Sequence, residues 1–379
     1  MASSSHALLL LLLLLPIVIP PLLHAQLAAA CYSRIFCFGD SISDTGNFVS
    51  SAGGDWFDSD ERCPYGETYF GRPSGRFTNG RVIVDFIAQA FGLPFLTAYL
   101  EGQCGEDFRH GANFAVMGAT ALDNSFFAAK GMNVTWTDYS LGVQIQWFMQ
   151  LLPLLSPGSS DYNNIMSTSL FIVGEIGGND YNHPLLDGST SFDEVLTFVP
   201  PVIHYIISTI TDLIKLGAKT FLVPGNFPIG CVPLYLKKFQ SQNEEDYDPQ
   251  TGCIKWLNEF AEYHNKLLAE ELDNLKKLYP NVTIIYADYY EAVIRIFRDP
   301  NQFGLKAPLQ SCCGTPASSV CVDPSSYGSW DGMHPTEAVY NVVADGVLHG
   351  PYAIPYLANT CPGNNIIGVN VNSLQYVSM

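Results

Sequence analysis

The sequence predicts an α/β fold, with a five-stranded parallel sheet covered by helices on both faces. Three observations lead there. Short apolar runs alternate with segments of helical period along the 379 residues, and such alternation builds parallel sheets. Hydrophobic residues make up 47% and charged residues 14%, enough for a sizeable core and too apolar for a disordered chain. No low-complexity linker, charge block or internal repeat divides the chain, which points to one large domain.

Taken in order, residues 35–38 (IFCF) form the first strand, which Gly39 ends. Residues 81–91 have helical spacing, 113–116 suit a short second strand, and 141–152 read as helix. Residues 169–173 are the third strand, 195–216 a long helix, and 219–223 (KTFLV) the fourth strand. The clearest amphipathic helix spans 253–278, where Glu262, Lys266 and Glu270 recur at i, i+4 on an outer face. Residues 281–286 (NVTIIY) give the fifth strand and 336–347 a closing helix. In sheets of this kind the site lies beyond the carboxyl ends of the strands.

Residues 1–30 hold no Asp, Glu, Lys or Arg, and Leu8 to Leu15 is an unbroken leucine run followed by prolines and small residues. That pattern predicts a secretory signal peptide cleaved after Ala25 or near Ala30, leaving residues 31–379 as a single domain. The run falls short of the roughly 20 apolar residues a membrane span needs, so no integral span is expected. A formal charge of −18 disfavours nucleic acid and anionic membranes as partners.

Ten cysteines are compatible with disulfides in an extracellular protein. Cys312, Cys313 and Cys321 share a Gly/Pro/Ser-rich loop that suits a local staple, and Cys37 is equally well read as a buried free thiol; spacing alone does not assign the pairs. There is no zinc-finger spacing and no HExxH, so neither a metal nor another cofactor is expected. Asn133 and Asn281 begin N-x-S/T sequons and are candidate glycosylation sites.

Candidate chemistry gathers at separated points. The first strand runs directly into Asp40, Ser41, Ser43 and Asp44, which places a hydroxyl at a sheet edge. A serine is a nucleophile only with a base for its proton and donors for the oxyanion; the same cluster also suits plain Asx turns. In SWDGMHPTEAVY, Asp331 stands three residues before His334, a spacing that lets the carboxylate orient the imidazole on one loop. In FIVGEIGGNDYN, Gly177 and Gly178 allow close backbone approach and Asn179 offers a neutral donor, although an Asn-Asp turn fits the composition as well. Gly118, in GANFAVMGAT, is a candidate backbone donor to the same point. No G-x-S-x-G occurs, which argues against an α/β-hydrolase elbow.

FGDSISDTGN, GANFAVMGA, GEIGGND and DGMHP occur in that order across the chain after the leader, and together they resemble the plant GDSL (SGNH) esterase/lipase family. Ile42 stands where the family's name has leucine, a volume-conserving change. GRFTNGR (75–81) and GNFPIGC (225–231) are also similar to plant members. The resemblance implies a three-layer α/β/α, flavodoxin-like fold, with Ser41 as nucleophile, His334 as base and Asp331 as its orienter. It further implies an oxyanion hole of Ser41, Gly118 and Asn179.

The expected function is a secreted esterase or lipase of the cell wall or apoplast, acting on small acyl esters, lipids or acylated cell-wall polysaccharide. An acyltransferase using the same acyl-enzyme is the alternative, and a catalytically silent glycan-binding protein a third class. Trp56, Phe57, Phe126, Phe127, Trp136, Trp147 and Phe148 are candidates for a substrate cleft or for core. Residues 51–70 and 123–139 are the expected specificity walls.

Overall fold

The computed structural model describes residues 31–53, 63–132, 136–156, 158–188, 190–314 and 319–360. Residues 1–30, the expected leader, lie outside them, as do Trp56, Phe57 and Asn133.

Five strands, β1 (Arg34–Phe38), β2 (Gly111–Asn113), β3 (Ser169–Val173), β4 (Thr220–Pro224) and β5 (Thr283–Ala287), form one sheet in the order β2-β1-β3-β4-β5. Every pairing is parallel. Alternation within each strand feeds two cores: Phe36, Phe38, Phe171, Val173, Phe221 and Val223 face one side, and Ile35, Cys37, Leu170, Ile172, Leu222 and Ile285 the other. The first side is covered chiefly by α4 (Leu141–Leu155), α8 (Val199–Lys215) and α10 (Lys255–Leu278). On the second side lie α2 (Ile83–Ala90), α11 (Tyr289–Arg298) and α12 (Glu337–His349). The expected three-layer α/β/α sandwich is therefore the fold. Its strand order reverses between β1 and β3, and the loops after those two strands open a crevice there.

Several boundaries differ from the sequence reading for identifiable reasons. The second strand ends at Asn113, yet the chain stays alongside the β1 exit, with Phe114 N–H donating to Cys37 O at 2.7 Å and Val116 N–H to Gly39 O at 3.1 Å. The expected 195–216 helix is two, because Pro200 and Pro201 lack the N–H groups an interior turn needs and instead start α8. Phe192–Lys215 is long and apolar enough to cross a membrane, but Val202, Ile203, Ile206 and Ile210 pack it onto the sheet. The Lys266–Glu270 pair sits 4.0 Å apart on the exposed face of α10, as its spacing predicts. A second, two-stranded parallel sheet, β6 (Ala307–Ser311) with β7 (Tyr327–Ser329), was not read from the sequence.

Cys312 pairs with Cys321, nine residues on, as the local staple expected of that loop. Cys313 instead pairs with Cys63, and Cys231 with Cys253; Cys37 is a buried free thiol. The GRFTNGR stretch holds a buried ion pair: Arg76 Nε and Nη2 each lie 2.7 Å from an Asp85 oxygen. Asp85 is wholly buried, so losing its partner strands a charge. We expect Arg76→Ala to reduce the unfolding free energy by about 3–5 kcal/mol in denaturant titration. A loss below about 1 kcal/mol, the scale of an exposed pair, would show that the bridge is not buried in solution.

Candidate active site

β1 delivers Asp40 and Ser41 to the crevice, and its exit is tightly held. Gln144 of α4 clamps Gly39 from both sides, accepting from its N–H at 2.9 Å and donating to its carbonyl at 2.8 Å. A Cβ at Gly39 would lie 2.9 Å from the Glu175 carbonyl, so only glycine lets the loops after β1 and β3 approach this closely. Asp44, buried, accepts N–H groups from Gly46, Asn47, Phe48 and Met117 at 2.8–3.1 Å, which ties the serine loop to the segment after β2. Burial raises its carboxyl to about 6, against those four donors. Asp180 does the same for the next pair of loops, receiving Ala121 and Leu122 N–H at 2.7 and 3.0 Å; burial raises it to about 7. The turn reading thus holds for Asp40 and Asp44, which accept the N–H two residues on, whereas Asp180 is helical and ties a distant loop, and Ser41 stands apart from them.

Ser41 Oγ lies 2.8 Å from His334 Nε2, and His334 Nδ1 lies 2.6 Å from Asp331 Oδ2. A carboxylate only accepts, so Nδ1 carries the hydrogen and Nε2 is left to accept from the serine. Asp331 Oδ1 takes the N–H groups of Met333 and His334 at 2.9 and 2.8 Å, which explains the three-residue spacing: the acid caps the turn that presents its own histidine. Tyr65 O–H adds a donor to Asp331 Oδ2 at 2.9 Å, and the Phe77 ring packs 5.4 Å from the imidazole. The Cys63–Cys313 disulfide fastens this tyrosine segment near the loop it serves. Burial works against an imidazolium at His334, but Asp331 and then Asp40 outweigh it and raise the ring above its ordinary 6.5. Asp331, despite burial, is held below its ordinary value by His334 and the two backbone donors.

Of the three expected oxyanion donors, two line the cavity. Ser41 N–H has no hydrogen-bond partner among the described residues. Asn179 lies at the start of α6 (Gly178–Asp187), its Nδ2 donating to Asp40 Oδ2 and Ala119 O, both at 3.0 Å. Gly118 has a free N–H among the described residues and a left-handed φ of 78°, but it does not line the cavity; Trp136 packs against it. His183 supports the same point, with Nε2 donating to Gly118 O at 3.3 Å and its ring 4.2 Å from the Trp136 ring. Burial lowers His183 to about 4, so it is neutral at physiological pH. Asn281 is exposed just before β5.

The cavity beside Ser41 measures about 480 Å³. Beside Ser41 and His334, its polar wall is Asp40, Glu175, Asn179, Asn182, Asn226 and Tyr235; the rest is mostly apolar, including Phe48, Met117, Trp136, Phe227, Leu234 and Met333. Of the aromatic candidates only Trp136 lines it among the described residues, since Phe127 and Phe148 are buried core and Phe126 and Trp147 pack against that core. Nor do the described residues of 51–70 line it. Its far wall comes instead from the GNFPIGC loop and the short helix α9 (Pro233–Lys238), a contribution not assigned from sequence. The Cys231–Cys253 disulfide and Asn258, which accepts from Gly230 N–H at 2.8 Å, hold that loop.

A family model described as GDSL-like lipase/acylhydrolase matches residues 35–347. One GDSL esterase/lipase of Arabidopsis thaliana is 46% identical over 350 residues, 88% of this chain and 90% of the relative. A second from the same plant is 47% identical over 345 residues, 87% of each chain. A third is 44% identical over 360 residues, 91% of this chain and 89% of the relative.

Proposed function

Because the chain belongs to the GDSL-like lipase/acylhydrolase family, we propose that it is a secreted serine esterase that hydrolyses carboxylic esters through an acyl-serine intermediate. The observation that carries this reading is the continuous relay from Ser41 Oγ through His334 to Asp331. His334 Nε2 takes the serine proton as Oγ attacks the ester carbonyl. The oxyanion then accepts from Ser41 N–H and the Asn179 amide, with Gly118 N–H as a third donor. His334 returns the proton to the leaving alcohol, the ester C–O bond breaks, and water repeats the sequence to free the acid and regenerate Ser41. The leader supports secretion, and export would expose the sequons at Asn133 and Asn281 to glycosylation.

The apolar walls favour esters of an extended apolar acid over acetylated polysaccharide. Each additional methylene buried there is worth up to about 0.8 kcal/mol, or roughly fourfold in kcat/KM. A series of nitrophenyl esters from acetyl to octanoyl, set beside acetylated xylan, tests this. We expect kcat/KM to climb with chain length by at least about tenfold before it levels off. A preference for acetyl esters or for the acetylated glycan would reject the apolar-acid assignment.

A further inference from the structure

Asp40 and Glu175 are buried carboxyl groups in the cavity wall, 3% and 5% exposed, and the mechanism above uses neither. They follow the adjacent strands β1 and β3. Asp40 N–H donates to the Glu175 carbonyl at 3.2 Å, so the backbone itself brings the two side chains together. Both carboxyls are buried in the wall of the same cavity, where each acts directly on the charge of the other. Two neighbouring carboxylates only accept and repel one another, so a buried pair of them keeps one proton.

The surroundings decide which group carries it. Asp40 already receives Ile42 N–H on Oδ1 and the Asn179 amide on Oδ2, both at 3.0 Å, and these donors favour its anion. Glu175 Oε1 is buried without a hydrogen-bond partner among the described residues, and the Gly178 backbone N–H is the donor that favours the Glu175 anion. The proton therefore resides on Glu175, which donates to Asp40. Burial, followed by the Asp40 charge, raises the Glu175 carboxyl well above its ordinary value, which agrees with this placement.

The pair also controls Asn179. Both hydrogens of its amide are taken, by Asp40 Oδ2 and Ala119 O, while its Oδ1 accepts from Asn182 at 3.1 Å. Donating to a substrate oxyanion means sharing the hydrogen that now points at Asp40. A singly charged pair permits that. A doubly charged pair would hold the hydrogen and repel the oxyanion.

We propose that Glu175 is a positioning residue: by keeping one proton on the Asp40–Glu175 pair beneath the oxyanion site, it lets the Asn179 amide share a hydrogen with a substrate. The inference rests on the esterase reading. Other titratable groups facing the pair are His334 and Asp44 on the Asp40 side, and Asp180, Tyr181, Tyr289 and Tyr340 on the Glu175 side. The tyrosines are all raised by burial and stay neutral where the pair titrates. A raised carboxyl pKa means the proton leaves on the alkaline side, so kcat/KM falls there as pH rises.

The test compares wild type with Glu175→Gln, whose amide N–H still donates to Asp40 but cannot ionise. Two readouts are followed against pH: kcat/KM on a chromogenic ester, and the Asn179 side-chain amide proton resonances, assigned by their loss in Asn179→Asp. In wild type both should move along one alkaline titration curve. In Glu175→Gln the resonances should stop moving there, and the alkaline limb should shift upward by at least about one pH unit. Glu175→Ala, where it folds, should lose about tenfold or more in kcat with KM within about twofold, the pattern of a lost transition-state interaction. An unshifted limb in Glu175→Gln, or Asn179 resonances that do not titrate in wild type, overturns the proposal. Should wild type hydrolyse no ester, the esterase reading fails, and the resonances alone still decide whether the pair governs Asn179.

Discussion

Ser41→Ala is expected to reduce kcat by about a millionfold, the scale seen when a relay of this type loses its nucleophile. The side chain is buried beside the cavity with its hydroxyl 2.8 Å from His334 Nε2, so no other described hydroxyl takes its place at the base. The variant should fold normally, since removing one Oγ leaves the Asp44 and Gln144 anchors intact. Burst kinetics with a chromogenic ester, and the mass of the trapped acyl adduct, check the result. Wild type should gain one acyl group on Ser41 and the variant none. Turnover within about tenfold of wild type would remove Ser41 as nucleophile. The pH profile supplies an internal control: His334 works as a base only when neutral, and its raised pKa places the acid limb of kcat/KM above 6.5.

Asp331→Asn is expected to cost about ten-thousandfold in kcat with the fold retained. The carboxylate accepts from His334 Nδ1 and Tyr65 on Oδ2 and from two backbone N–H groups on Oδ1, four donors on two acceptor atoms. A carboxamide has one acceptor atom and brings a donor of its own. Whichever way it turns, it sets an N–H against a neighbouring donor, or it forces His334 into the tautomer whose Nε2–H cannot accept from Ser41. The imidazolium also loses its nearest negative charge, so the acid limb should move to lower pH. Full activity in Asp331→Asn would mean that His334 is oriented by something else.

Much of this was legible in the sequence. The first, third, fourth and fifth strands stand within two residues of their apolar runs, because a strand buried on both faces has to be apolar throughout. Ser41, Asp331 and His334, which the structure brings together, stood out as candidates because hydroxyl, acid and imidazole are conspicuous at strand and helix ends. Other features depend on pairing that no local pattern encodes. Glu175 looks like a stray acid until β1 and β3 are known to be neighbours. Tyr65 meets Asp331 across 266 residues, and the Cys63–Cys313 link spans 250. Helix α6 was hidden by Gly177, Gly178 and Pro184, residues that ordinarily interrupt helices. Helix α11, by contrast, carries a readable start: Asp288 accepts from Glu291 N–H at 3.0 Å, the capping spacing D-x-x-E.

Ser41 and His334 are 293 residues apart. A ribosome adding about 5–20 residues per second needs roughly 15–60 seconds to proceed from one to the other. Throughout that interval the nascent chain carries a serine with no base to activate it. For the first part of that interval strand β1 also lacks its neighbour β3, residues Ser169–Val173, the condition under which long-range sheets fold slowly. On the proposed mechanism, a chain abandoned before residue 334 hydrolyses none of the esters of the cell that makes it. By the proposed relay, hydrolysis becomes available only to molecules that have been synthesised through its final residue and folded around it, so the first turnover would double as a certificate that the relay is complete.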